Sequence, residues 1–408
     1  MENKTKVIIA GAGIAGPVLA ILLKSKGYDP IVYERVDALT DVGLSLCMQP
    51  NGLRVLGLIP GFMEKLVGQP LERFKHCSVL GDEAAVLVDV DYPSRLPEAT
   101  GYSMMGVRRP LFNRTIVEVA ESHGIKIIFG HQLVSLKQEN DSVEVTFANG
   151  VVDNASFVVG CDGLHSNTRT CLFGRESVDY TGLTQTGGTS PTPESHKAHR
   201  TMLNVYSDGA HLIAFPINDN QTSWAISRRE AEARESWRSV DEEQQKQFKE
   251  GPWSQWPFGA GELVRTADRI VKYGLYDRPE LQSWHKGRVV LLGDAAHPTS
   301  PHLGQGANQA FEDIYHLVRL LGKHNPSAAP PSPELLNAVF SEYEQLRFAR
   351  TSELVKGARK QGDLRVLQGE EACRARNESL KAMWADENFT QNWLQFFEHP
   401  FVTGKSEI

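Results

Sequence analysis

Near the start of the chain, Gly11, Gly13 and Gly16 stand at G-x-G-x-x-G spacing, and Glu34 follows 18 residues after the last of them. Glycines at those offsets let the backbone turn tightly and bring a pyrophosphate to a helix N-terminus, where free N–H groups and the macrodipole favour negative charge. A carboxylate at the end of the next strand can accept hydrogen bonds from a ribose diol. Ile14 and Ala15 inside the turn, and Arg35 beside the acid, belong to the same candidate set. The chemistry indicated is dinucleotide binding, with NAD(P) and FAD both open at this point.

Two later segments also pair glycines with an acid. Residues 154–174 (NASFVVGCDGLHSNTRTCLFG) carry an apolar strand at 157–159 into Gly160, Asp162 and Gly163, then Ser166 and Arg169. Alone, this is a strand ending in an Asp-Gly turn. Residues 288–313 (RVVLLGDAAHPTSPHLGQGANQAFED) run from a buried strand at 289–292 into Gly293 and Asp294, pass Pro301, and reach a second glycine pair, Gly304 and Gly306, before a helix over 307–321. Asp294 is placed to accept from a ribityl hydroxyl, and the backbone N–H groups from Gly304 to Asn308 suit the negative charge of a reduced flavin ring.

The order of these segments resembles the class A, single-component FAD-dependent monooxygenases, the aromatic-ring hydroxylase family, in which a G-x-G-x-x-G site, a D-G motif and a G-D motif act on one FAD. The resemblance spans about residues 4–357. It implies that Gly11, Gly13 and Gly16 form the ADP-binding turn, that Glu34 is the ribose acid, and that Gly43 is the glycine of the stretch passing the flavin. Arg108, selected over the adjacent Arg109 by R-x-x-L spacing, is implied to stand beside the cofactor. Asp162 and Gly163 are implied to serve FAD and NAD(P)H, Asp294 and Ala307 to contact the cofactor, and Pro301 to lie beside the flavin ring. One departure is visible: many relatives carry an arginine just before the glycine equivalent to Gly43, where this chain has Thr40-Asp41-Val42.

The family also implies an architecture and a reaction. The fold expected is an interleaved α/β (α+β) arrangement: a discontinuous FAD-binding Rossmann-like domain of the glutathione-reductase type (1–75, 100–175 and 280–325), a β-sheet substrate domain (76–99 and 176–279) and a C-terminal helical segment (326–408). FAD binds tightly and non-covalently, and NAD(P)H, lacking a second complete fingerprint, docks transiently. Hydride reduces FAD, O2 forms a C4a-hydroperoxide in a dry pocket, and one oxygen passes to a small, largely apolar aromatic or heteroaromatic metabolite by hydroxylation or epoxidation. Chemistry of this kind suits secondary metabolism. A flavin oxidase or dehydrogenase on the same fold, or a non-catalytic scaffold, is the alternative. Trp253 and Trp256, in W-S-Q-W-P, do not supply the W-x-W-x-I-P signature of a flavin halogenase.

Local pattern supports the elements these motifs require. A β-branched run at 6–10 leads into the first glycine turn, and residues 17–26 have helical composition, with Pro17 in the first turn and Gly27 as a stop. Residues 77–90 form a hairpin around Gly81-Asp82, and 211–217 and 222–226 are strands of a sheet roofing the flavin. Period-two alternation puts His211, Ile213 and Phe215 on one face and Leu212 and Ala214 on the other. The family register selects Leu212 and Ala214 as substrate-facing, giving an apolar pocket with no charged anchor. Residues 228–250 are a charged run expected to form a solvated helix or two, 325–333 a loop, and 334–360 a helix. The aromatic tail, including Trp384, Phe389, Trp393, Phe396 and Phe397, is expected to pack as core helices, with a substrate lid or dimer contact as the alternative, and is too short for a further thioredoxin-like domain. His297, His302 and His211 are expected to pack or hydrogen-bond, and no general base is assigned.

Bulk properties are consistent with this reading. The chain has 408 residues, 41% hydrophobic and 23% charged, enough for more than one core. A net charge of -7 with scattered Lys and Arg gives no footprint for nucleic acid. Five cysteines at irregular spacing suit reduced thiols in the cytoplasm. The apolar stretch at 7–23 carries three fixed glycines rather than a signal-peptide pattern, and no other run reaches bilayer length. A cytoplasmic monomer or homodimer acting on a small molecule and O2, with no membrane partner, is the expectation.

Overall fold

The computed structural model describes residues 4–41, 43–231, 238–401 and 404–408. The β-branched opening run forms the strand Lys6–Ala10, inside a six-stranded sheet. Asp29–Tyr33 lies on one side and Phe157–Gly160 on the other, both parallel, with Ile8 opposite Ile31 and Val158. Val289–Leu291 and Lys126–Ile128 extend the parallel set, and the short edge His285–Lys286 runs antiparallel. Both faces of such a sheet are covered, so its central strands are apolar without alternation. Val7, Ile8, Ile9, Phe157, Val158 and Val159 are all fully buried.

A second, eight-stranded sheet stands beside the first. Its order is Arg238–Ser239, Arg269–Asp277, Asp179–Pro191, Gln221–Arg229, Ala210–Pro216, Thr201–Tyr206, Arg73–Leu80 and Glu83–Val90. Pairing is antiparallel except where Thr201–Tyr206 meets Arg73–Leu80, with Met202 opposite Phe74. This one parallel pairing stitches the early hairpin onto strands far along the chain. The interleaving expected from the sequence is the observed architecture, although the expected boundary between residues 75 and 76 falls inside the Arg73–Leu80 strand.

The C-terminal part is helical. Ser332 caps the helix Pro333–Arg365 by accepting from the Leu335 N–H, and Pro333 occupies its first turn. This helix runs past the expected end at residue 360. Helices Glu370–Ala385 and Glu387–Glu398 follow. The charged run divides into the end of the Gln221–Arg229 strand and a helix, Glu242–Glu250, with no buried residue; residues 232–237 lie outside the described residues. Among the described residues no helix is long and apolar enough to cross a membrane.

Candidate active site

The first glycine turn is dictated by contact. Gly11 has φ +104°, and a Cβ there would sit 2.5 Å from the Cys161 carbonyl oxygen of the neighbouring strand end. A Cβ on Gly16 would lie 1.9 Å from the Gly11 carbonyl oxygen, so only glycine lets the helix Ala15–Ser25 start this close to the strand. Gly13 differs: a Cβ there meets no protein atom within 4 Å, and Gly13 lines a large cavity. Glu34 Oε2 accepts from the Ala12 N–H at 2.7 Å, which holds the acid against the turn. Ile14, Ala15 and Arg35 line the same end of the cavity.

The other motifs converge there because the parallel strands end together, and ligands of open α/β sheets bind beyond those carboxyl ends. Ala10, Cys161 and Leu292 all reach the cavity. Asp162 lines it with Gly163, and its carboxylate is held by the Ser166 hydroxyl (2.5 Å) and by the Thr168 N–H and hydroxyl (2.9 and 3.0 Å). Burial raises its pKa, against those hydrogen bonds. Asp294 is exposed to the open space of the cavity, and desolvation by the neighbouring protein raises its pKa, with His297 and Arg109 opposing and Asp313 adding to the rise. Pro301, Gly304, Gly306 and Ala307 form the adjoining wall. Asn308 lies just behind that wall, its Oδ1 accepting from the Gln49 N–H at 3.0 Å and its amide donating to the Cys47 and Gly304 carbonyls. The Cys47 thiol is pushed up to about 12 by burial, too high for a reactive thiolate at neutral pH.

Of the two adjacent arginines, Arg109 rather than the expected Arg108 lines the cavity. Arg108 ends the strand Met105–Arg108 on its outer side, half-exposed, and pairs with Asp41 at 3.1 Å. Arg109 opens the next helix and turns into the cavity, where Gly43 leaves room for its side chain: a Cβ on Gly43 would meet the Arg109 Cδ at 3.0 Å. Gly43 therefore shapes the site from behind Arg109, and Arg109 replaces Arg108 as the candidate cofactor residue. Gly16 likewise acts through packing rather than by lining the cavity.

A buried ionic network that the motifs did not reveal supports the Asp294 loop. Asp313 Oδ2 accepts from the Gly293 N–H (2.9 Å) and pairs with His297 Nε2 (2.6 Å), while its Oδ1 accepts from Arg347 Nε (2.7 Å). Arg347 also pairs with Glu312 at 2.5 Å, and Arg350 pairs with Glu312 at 2.8 Å. Glu312, Asp313 and Arg347 are fully buried. Burial alone would raise the Asp313 pKa, but His297 and Arg347 hold it low. Gln309, Glu312, Asp313 and His316 recur at helical spacing, in phase with the N-cap Gln305, among the buried residues of the helix Gly306–His324. That polar stripe is a signal the sequence does contain.

The roof corrects the substrate-facing assignment. Leu212 and Ala214 are buried in a core with Leu263 and Val264 and do not line the cavity. Ile213 and Phe215, one residue out of phase, line the cavity with Phe74, Met202 and Asn204. The tail aromatics do more than pack: Trp384, Phe389, Trp393, Phe396 and Phe397 line the cavity from the C-terminal helices, and Phe74 and Tyr92 contact Trp384 and Trp393 edge-on. The pocket is not free of charge, since Arg365 reaches it, beside the imidazoles of His76 and His302. The cavity encloses about 1370 Å3 and runs without a break from the first glycine turn to these aromatics.

A parallel dinucleotide sheet whose three glycine–acid turns open on one cavity, roofed by a mixed sheet, defines an FAD-dependent oxidoreductase of the monooxygenase class. The chain belongs to the family described as FAD binding domain, which matches residues 4–355, and its relatives are the aromatic-ring hydroxylases. It is 29% identical over 386 residues to 3-amino-4-hydroxybenzoate 2-monooxygenase of Streptomyces cremeus, covering 94% of this chain and 93% of that one. It is 26% identical over 364 residues to 6-hydroxynicotinate 3-monooxygenase of Pseudomonas fluorescens, covering 87% and 90%. In fold it is similar to Klebsiella pneumoniae HpxO, solved with FAD and uric acid, at TM-score 0.82 and 22% identity over 97% of each chain.

Proposed function

We propose that this enzyme uses NAD(P)H and O2 to oxygenate a small aromatic or heteroaromatic metabolite held between the eight-stranded sheet and the C-terminal helices. The observation that carries the reading is the unbroken cavity joining the glycine turn to an aromatic chamber. The residues present fit FAD: the space at Gly13 that a Cβ would occupy, the helix start at Gly306, and two cavity-facing carboxylates, Asp162 and Asp294. Gly11, Gly13 and Glu34 would hold its ADP half, Asp294 and Arg109 its middle, and Pro301 with Gly304 to Ala307 its ring. When bound, FAD supplies hydride acceptance from the nicotinamide and the activation of O2.

The chain's own contribution is placement and exclusion of water. Trp384, Phe389 and Trp393 close the far end of the chamber with apolar surface, and Phe215 and Ile213 flank it from the sheet. Tyr273 donates to Gln185 Oε1, which fixes a polar edge on the same wall. The test is to purify the protein, record its visible spectrum, and follow NAD(P)H consumption under 18O2 with a panel of aromatic acids and N-heterocycles. The expected result is a flavin spectrum and one 18O atom in the product. Hydrogen peroxide alone, with no label incorporated for any substrate that stimulates oxidation, would establish an oxidase instead.

A further inference from the structure

Among the described residues, no carboxylate balances one charge that the chamber holds. Arg365, at the end of the helix Pro333–Arg365, is 7% exposed and lines the cavity. A guanidinium stays protonated in a protein, so burying one is costly unless an anion or a full set of acceptors meets it. Its partners are neutral: one terminal nitrogen lies 3.3 Å from His302 Nδ1, and the Tyr206 hydroxyl is the other group that interacts with it. Its Nε has no hydrogen-bond partner. Among the described residues no carboxylate forms an ion pair with it, whereas two comparably buried arginines are paired, Arg169 with Glu176 and Arg347 with Glu312 and Asp313.

The surroundings sharpen the deficit. His76 and His302 are both pushed down to about 3, by burial and then by the positive charge of Arg365, so neither supplies a charge at neutral pH. Because Arg365 can only donate, His302 Nδ1 must accept, which leaves the proton of the neutral ring on Nε2, a second donor without a partner. The indole N–H of Trp384 is a third. This is a chamber rich in donors, with aromatic walls from Phe74, Trp384 and Trp393.

We infer that Arg365 is the anchor for the carboxylate of an aromatic acid substrate, whose ring lies against the tail aromatics. The inference rests on the proposed function in taking this chamber as the substrate's. A guanidinium matches a carboxylate in geometry as well as charge, and a charge-assisted contact in a desolvated site is worth more than a neutral one. The apolar, anchor-free pocket expected from the sequence is replaced by an amphipathic one.

Calorimetric titration of the full-length, flavin-loaded protein tests the assignment, using 3-hydroxybenzoate and 6-hydroxynicotinate against the matching carboxamides. The acids should bind at least about tenfold more tightly than the amides, and Arg365→Gln should weaken acid binding about 30-fold while leaving amide binding within about twofold. Arg365→Lys should restore part of the difference. Acid binding no tighter than amide binding, no acid binding at millimolar concentration, or an unchanged acid affinity in Arg365→Gln would each overturn the assignment. If Arg365→Gln does not fold, the acid-to-amide ratio of the unaltered protein decides. Flavin content and NAD(P)H oxidation, measured on the same sample, report separately on the proposed function, because calorimetry needs neither signal.

Discussion

Alanine at Gly13 and alanine at Gly16 are predicted to fail for different reasons. At Gly16 the added carbon would overlap the Gly11 carbonyl oxygen at 1.9 Å, so the strand–helix junction must open and Gly16→Ala should yield little folded protein. At Gly13 it meets no protein, so Gly13→Ala should fold with an unchanged far-ultraviolet circular dichroism spectrum yet retain flavin at least about tenfold less well, because the methyl takes cofactor space. A Gly13→Ala variant that holds flavin normally would contradict the placement of the pyrophosphate. The arginines give a parallel contrast. Arg109→Gln should weaken flavin retention, whereas Arg108→Gln removes only an exposed ion pair with Asp41, worth about 0–1 kcal/mol, and should leave it within about threefold. Dialysis followed by the flavin-to-protein absorbance ratio measures both. The glycine turns and their acids were legible because a short stretch of backbone encodes them. The choice between neighbouring arginines was not, since it depends on how a strand end hands over to a helix start.

At the scale of elements, the Asp294 loop owes its position to two helices that clamp it through Arg347. Removing the guanidinium would leave Glu312 with Arg350 and Asp313 with His297 among their remaining charged or polar partners, and breaking a buried pair from one side costs about 3–5 kcal/mol. Arg347→Met should therefore lower unfolding stability by about that amount in urea titration, and should also loosen flavin binding, because the Gly293 N–H is held by the same Asp313 carboxylate. A triple replacement of Arg347, Glu312 and Asp313 by apolar residues of similar size should recover stability but not flavin binding. Recovery of both would show that the network serves stability alone. The helix that carries these acids was legible in the sequence, and the partner helix nearly so. Their pairing was not, because polar residues at helical spacing do not name the element they will face.

Across the whole molecule, sheets and helices enclose a chamber polar at one end and aromatic at the other, and the sequence misjudged which face of the roof strands meets it. Leu212 and Ala214 look as apolar as Ile213 and Phe215 because both faces of that sheet are buried, one on a helical core and one on the cavity, so alternation leaves no polar face to mark the outside. The same enclosure has a consequence for acid stability. His76, His302 and His316 are buried and each is pushed to about 3, His316 by burial first and then by Arg347 and Arg319 against Glu312 and Asp313. Below the ordinary histidine value of about 6.5 the unfolded chain takes up protons that the folded one refuses. Their contribution is thus fully present above about pH 6.5 and is lost as pH falls toward 3, at up to about 1.4 kcal/mol per pH unit for each ring. Asp162 and Asp294, held high by burial, act with the opposite sign, so the comparison that isolates the histidine term is a variant. Urea unfolding between pH 6.5 and 5 should show His316→Gln losing less stability than the unaltered protein, by about 1 kcal/mol per pH unit. Parallel pH profiles for the two would mean that His316 is protonated in the folded state, and that the buried end of the Gly306–His324 helix is wetter than its packing implies.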